Sequence, residues 1–184
     1  MTNEKIKYGL KNKKLALSFW EKFSHYEIVF ALFIMPLITV FMYLKDFFSN
    51  TLEPVKPGII WISITFSVIG VLFIFIQKNR LKLKQVTTSL DKSELEKIIE
   101  NVAKDLEWHL YFSNSKAIVA KTHPNFLSGS WGEQITILFS HNKVYVNSIC
   151  DPNKHSSVVS FGRNRRNEVT LIRTIKKTER LSSI

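Results

Sequence analysis

One cysteine, Cys150, is all that 184 residues hold, so no disulfide can form within the chain and a reducing compartment suits it. Carboxylates are scarce too, 15 against 26 lysines and arginines, and only Glu133 and Asp151 lie between Trp108 and Asn167. A local pair of acids for general acid/base chemistry is therefore missing. His109, His123, His141 and His155 are scattered over separate segments without a cysteine pair or an HExxH spacing, and no metal or cofactor is expected. Ser128-Gly129-Ser130-Trp131-Gly132 fails as a nucleophile elbow because Ser128 stands where that turn needs glycine. No residue is assigned a catalytic role.

Two stretches lack charge altogether. Ile28 to Leu44 runs for 17 residues without one, and Ile59 to Ile76 for 18, in which only Ser63, Thr65 and Ser67 are polar. Both lengths fall near the lower end of the roughly 17 to 25 residues that a helix needs to cross a bilayer. The runs predict two transmembrane helices, with Pro36 removing a backbone donor midway along the first. The absence of a charged residue at either centre argues against an ion or proton path. Ser63, Ser67 and Gly70 share one face of the second helix and let another helix approach closely, either the first span or a neighbouring subunit.

Positive charge is plentiful and unevenly placed. Lys5, Lys7, Lys11, Lys13, Lys14 and Lys22 precede the first run, Lys78, Arg80, Lys82 and Lys84 follow the second, and the connector between them carries only Lys45 and Lys56. The positive-inside rule then predicts a two-pass protein of the inner membrane with both termini cytoplasmic. The expected division is a basic N-terminal segment over 1–25, a transmembrane hairpin over 26–77, a basic linker over 78–87 and a cytoplasmic α+β domain over 88–184. Ala16, Leu17, Trp20 and Phe23 fall on one helical face beside Lys13, Lys14 and Lys22, which predicts an interfacial helix on the inner leaflet.

Beyond the linker the pattern is that of a soluble domain. Asp91 and Glu94 form a capping box, Leu90 and Leu95 a staple, and Leu95, Ile98, Ile99, Val102 and Leu106 the buried face of a helix. The period then changes to two, predicting a hairpin over Trp108 to Thr122. A second hairpin turns at His141-Asn142, with Phe139 facing Val144, Ile137 facing Val146 and Ile135 facing Ser148. A short strand over Val158 to Phe161 and a helix from Asn164 to Arg180 complete the order α-β-β-β-β-β-α. The expected fold is an antiparallel sheet with helices packed on one face.

Arg163, Asn164, Arg165 and Arg166 crowd the start of that last helix, where the backbone already presents positive charge. An anion among them would relieve the crowding, whether a lipid headgroup, a phosphate, or an acidic side chain of a partner or of this chain. The stretch Val144-Tyr145-Val146-Asn147-Ser148, a loop, and Gly162-Arg163-Asn164-Arg165-Arg166-Asn167-Glu168 through Arg173 resembles the C-terminal part of an uncharacterised bacterial domain-of-unknown-function family. In that family a strand ending in a polar residue and Ser leads through a loop to G-x-N-R, basic residues, Glu and a closing Leu-Arg. The resemblance implies no activity.

Eighteen of the 26 basic residues but only ten of the 15 acidic ones lie in 78–184, so anionic neighbours are expected, and the inner leaflet supplies them without nucleic acid. The reading is a membrane-tethered, non-enzymatic binding or accessory module that contacts a protein partner or anionic lipid headgroups. Its rivals are a structural subunit of a membrane complex, as homo-oligomer or with another membrane protein, and a membrane-proximal hydrolase-type enzyme using the Ser128 to Gly132 loop.

Overall fold

The computed structural model describes residues 1–49, 56–123, 131–154, 160 and 162–182. They form two compact units, one of Met1–Ser24 with Arg80–Ile184 and one of His25–Asn79.

The smaller unit is a pair of long helices, α2 (Phe19–Phe48), whose first residues belong to the other unit, and α3 (Pro57–Arg80). Both are long and apolar enough to cross a membrane. Little of either is buried, whereas a soluble core helix of this composition would be covered. Their contact runs along positions 63, 70 and 77 of α3, a spacing of seven that keeps one side of a helix facing its neighbour. Thr39 and Ser63 share a hydroxyl hydrogen bond of 2.5 Å. The ring of Phe33 covers Gly70, where a Cβ would come within 2.8 Å of it. His25 and Gln77, both buried, are clasped reciprocally: Gln77 Nε2 donates to the His25 carbonyl at 2.8 Å, and His25 Nε2 lies 3.0 Å from the Gln77 carbonyl. A carbonyl only accepts, so His25 Nε2 carries the proton. Ser67 donates back to the Ser63 carbonyl in its own helix. The small-residue face is thus engaged within the hairpin at Ser63 and Gly70, the first of the two uses expected for it.

The larger unit is built on a five-stranded antiparallel sheet of order β1-β5-β4-β3-β2, with β1 at Lys84–Thr87, β2 at Trp108–Ser113, β3 at Ala117–Thr122, β4 at Glu133–Ser140 and β5 at Lys143–Cys150. The β4–β5 register is the expected one, Phe139 opposite Val144, Ile137 opposite Val146 and Ile135 opposite Ser148. Period two with apolar residues on one face leaves no other register, because a slip of one residue would turn every side chain over. Helix α4 (Lys92–Asp105) starts at the predicted capping box, Glu94 N–H donating to Asp91 at 2.8 Å and Asp91 N–H to Glu94 at 2.9 Å. It shares one face of the sheet with α5 (Arg163–Ser182), where Ile99, Val102, Leu171 and Ile175 close over Ile118, Ile135, Ile137 and Val146.

Three features differ from the expectation. The segment 78–87 is no plain linker: α3 continues to Arg80, and Lys84–Thr87 is the edge strand that pairs with β5. A single buried apolar residue, Val86, in four gave that strand too little pattern to be seen. The strand expected over Val158 to Phe161 lies outside the described residues except for Ser160, which is not in a strand. The sheet also has a second covered face. Helix α1 (Asn3–Asn12) lays Ile6 against Leu83, Ala117, Leu138 and Tyr145, and Gly9 permits the approach, since a Cβ there would meet Leu138 at 2.7 Å. Residues 13–18 are not helical, and Leu15 and Leu17 are buried with Leu81 and Ile149. The interfacial helix expected from Ala16 to Phe23 is therefore reduced to the first turn of α2, where Trp20 and Phe23 stay exposed.

Candidate functional site

The arginine cluster separates into an inner and an outer half. Arg163 Nε donates to Glu133 Oε1 at 2.9 Å, and Glu133, 1% exposed, also holds the Thr122 hydroxyl on its other oxygen. Asn164 accepts from Ser148 Oγ at 2.9 Å and reaches the Cys150 sulfur. The anion beside Arg163 is thus a carboxylate of this chain. Arg165 and Arg166 remain exposed, without an ion-pair partner among the described residues.

The next two residues continue the inner half. Asn167 accepts from Trp108 Nε1 at 3.2 Å and donates to Ser148 Oγ at 3.1 Å. Glu168 accepts from the Ser148 backbone N–H at 3.0 Å and pairs with Lys84 at 2.5 Å. The β1–β5 ladder ends at Lys84 opposite Val146, and beyond it Glu168 supplies the acceptor for the Ser148 N–H. The polar residues of the Gly162 to Glu168 motif therefore weld α5 to β5. The signal was present in the register: Ser148 falls on the apolar face of its strand and so requires polar partners.

A cleft of about 310 Å³ opens beside this weld, lined by Glu107, His109, His123, Glu133, Arg163 and Arg166 among others. The β2–β3 pairing sets Trp108 opposite Thr122 and His109 opposite Lys121, which brings the His109 and His123 rings to 5.2 Å although the two histidines are far apart in sequence. Lys154 Nζ lies 3.0 Å from His123 Nδ1. An ammonium only donates, so Nδ1 is the acceptor and the imidazole is neutral. Desolvation, then the Lys154 and His109 charges, hold the His123 pKa below its usual value. Beside the two histidines, Lys121 pairs at 2.9 Å with Asp151, whose side chain is 1% exposed. No group of three or more metal-ligating side chains occurs among the described residues. Ser128 and Ser130 lie outside them.

A further basic surface joins segments that the sequence keeps apart. Leu15 N–H donates to the Leu81 carbonyl at 2.8 Å and Leu83 N–H to the Lys13 carbonyl at 2.9 Å, a short antiparallel bridge that sets Lys14 opposite Lys82. One connector leads into α2 and the other comes out of α3. Like charges placed directly across a bridge repel. Lys13, Lys14, Lys22 and Lys82 have no ion-pair partner among the described residues, and Lys13, Lys22 and Lys82 are exposed.

No protein-family model, no curated protein and no solved structure matches this chain. The fold defines an α+β unit with an open five-stranded antiparallel sheet, joined through two paired connectors to a hairpin of apolar helices.

Proposed function

We propose that the chain is a two-pass protein of the cytoplasmic membrane whose α+β unit is a non-enzymatic module held against anionic lipid. The observation that carries this is the Lys14–Lys82 bridge. Two lysine-rich connectors, one running into α2 and the other out of α3, are drawn together with no ion-pair partner for Lys14 or Lys82 among the described residues, and each lysine near an anionic leaflet gains about 1 kcal/mol. Because Met1–Ser24 and Arg80–Ile184 belong to one compact unit, a hairpin that crosses the bilayer twice returns both ends to the same side. The lysine bias selects the cytoplasmic side. Arg165 and Arg166 form a separate exposed basic pair and are the contact left for an acidic partner protein.

Two measurements test the reading. An enzymatic reporter fused after Ile184 should be active only as a cytoplasmic fusion, and activity outside the membrane would reverse the orientation. Full-length protein extracted gently from mixed membranes should retain at least about fivefold more anionic lipid than a K13Q/K14Q/K82Q variant, with the difference shrinking at high salt. Equal retention by the two would remove the lipid contact.

A second reading, a hydrolase-type enzyme, draws support from the cleft that gathers His109, His123 and Glu133. Against it, Glu133 is already committed to Arg163 and Thr122. The structural-subunit reading loses part of its surface, since Ser63 and Gly70 are occupied by α2.

A further inference from the structure

We infer that Phe19, Trp20 and Phe23 form an aromatic wedge that inserts into the headgroup zone of the bilayer beside the start of α2. This rests on the membrane reading above and adds a contact to it. At about 100° per residue, the three side chains share one sector of the helix, while Glu21 and Ser24 lie on another. The polar sector is tied to the rest of its unit: Glu21 pairs with Lys5 at 2.5 Å and accepts the Ser18 N–H, and Ser24 Oγ donates to the Lys154 carbonyl at 3.2 Å. The aromatic sector is left outside, with Phe19 74%, Trp20 75% and Phe23 49% exposed. The rings touch edge to face, Phe19 to Trp20 at 5.4 Å and Trp20 to Phe23 at 6.4 Å, so they present one apolar body and not three separate side chains.

The chemistry of that body identifies what covers it. A Trp flanked by Phe suits the interface, where the ring is buried among acyl carbons and the indole N–H meets an ester or phosphate oxygen. The Trp20 N–H has no acceptor among the described residues. Lys22 in the same turn and Lys13 and Lys14 just before it supply charge for the headgroups above such a wedge. Continuity points the same way, because the helix that bears the aromatics is the one that runs on through the charge-free stretch. A protein groove that took these rings would have no need of the lysines around them.

The test uses full-length protein in vesicles of mixed neutral and anionic lipid, brominated either just below the ester carbonyls or near the acyl-chain ends, with tryptophan quenching as the readout. Trp108 is buried and Trp131 is 50% exposed, so every sample carries W131F and shallow quenching then comes from Trp20 and Trp61. W20F is expected to remove roughly half of the shallow quenching and to leave deep quenching unchanged. W61F serves as the control for insertion of α3. Unchanged shallow quenching in W20F, with a loss in W61F, would overturn the wedge and leave the membrane reading standing. Protein that fails to float with the vesicles and shows no quenching at either depth would overturn both.

Discussion

Changing Ile6 to Asp should release α1 from the sheet and lower the unfolding free energy of the α+β unit by about 4 kcal/mol. Ile6 is 2% exposed and meets Leu138, Ala117, Tyr145 and Leu83, the first two fully buried. Truncating a buried Ile to Ala costs about 2 to 5 kcal/mol on its own. A carboxylate adds the cost of burying a charge with no partner beside it. Chemical denaturation of the full chain in detergent, followed by far-ultraviolet circular dichroism, measures the loss, and the exposed neighbour substitution Lys7→Asp should stay within about 0.5 kcal/mol. If the two variants melt alike, α1 does not belong to the core. The same packing sets a practical boundary. A fragment starting at Gln85 would uncover Leu138, Tyr145 and Ile149, so any soluble version of this unit has to carry residues 1–24 as well.

Arg163→Ala is the second large effect. It leaves the Glu133 carboxylate buried with the Thr122 hydroxyl but without its cation. Removing one partner of a buried pair costs about 3 to 5 kcal/mol, most of it the penalty on the charge left behind. Because Arg163 is partly exposed, the lower end of that range is expected. The double variant E133A/R163A should recover part of the loss, since it removes the stranded charge. Arg165→Ala, two residues away and exposed, should change stability by less than about 0.5 kcal/mol while weakening any contact with an acidic partner. If Arg163→Ala and Arg165→Ala were equally mild, the division of the cluster into inner and outer halves would be wrong.

That division could not be read from the run of arginines. Where pattern is strong and local, sequence and structure agree: the capping box at Asp91, the register of β4 on β5 and the two long apolar helices are each dictated by local pattern. What escaped depends on contacts between distant segments. Ile6 and Leu17 become core residues only because the chain returns after α3 to lay Leu81 and Leu83 beside them, and no local period announces that return. The histidine pair follows from the β2–β3 register, which includes a bulge between Leu110 and Phe112 that simple alternation does not show. Glu133 is legible afterwards as an acid on a strand whose alternate residues, Ile135 and Ile137, lie in the core, a position that calls for a basic partner. The basic cluster 30 residues later supplies it.

The bridge between residues 13–15 and 81–83 also fixes an order of events during synthesis. Residues 1–24 leave the ribosome before the apolar hairpin, and the strands they cover leave it after. Throughout that interval the N-terminal arm has no surface on which to fold and must wait in an open state while the helices between are made. Once β4 and β5 have formed, the arm closes over them and the entry and exit of the hairpin are fastened together. From that point the two ends of the hairpin cannot part without opening the sheet face that Ile6 seals. A folded domain thus holds together the two ends of a segment that interrupts it in sequence.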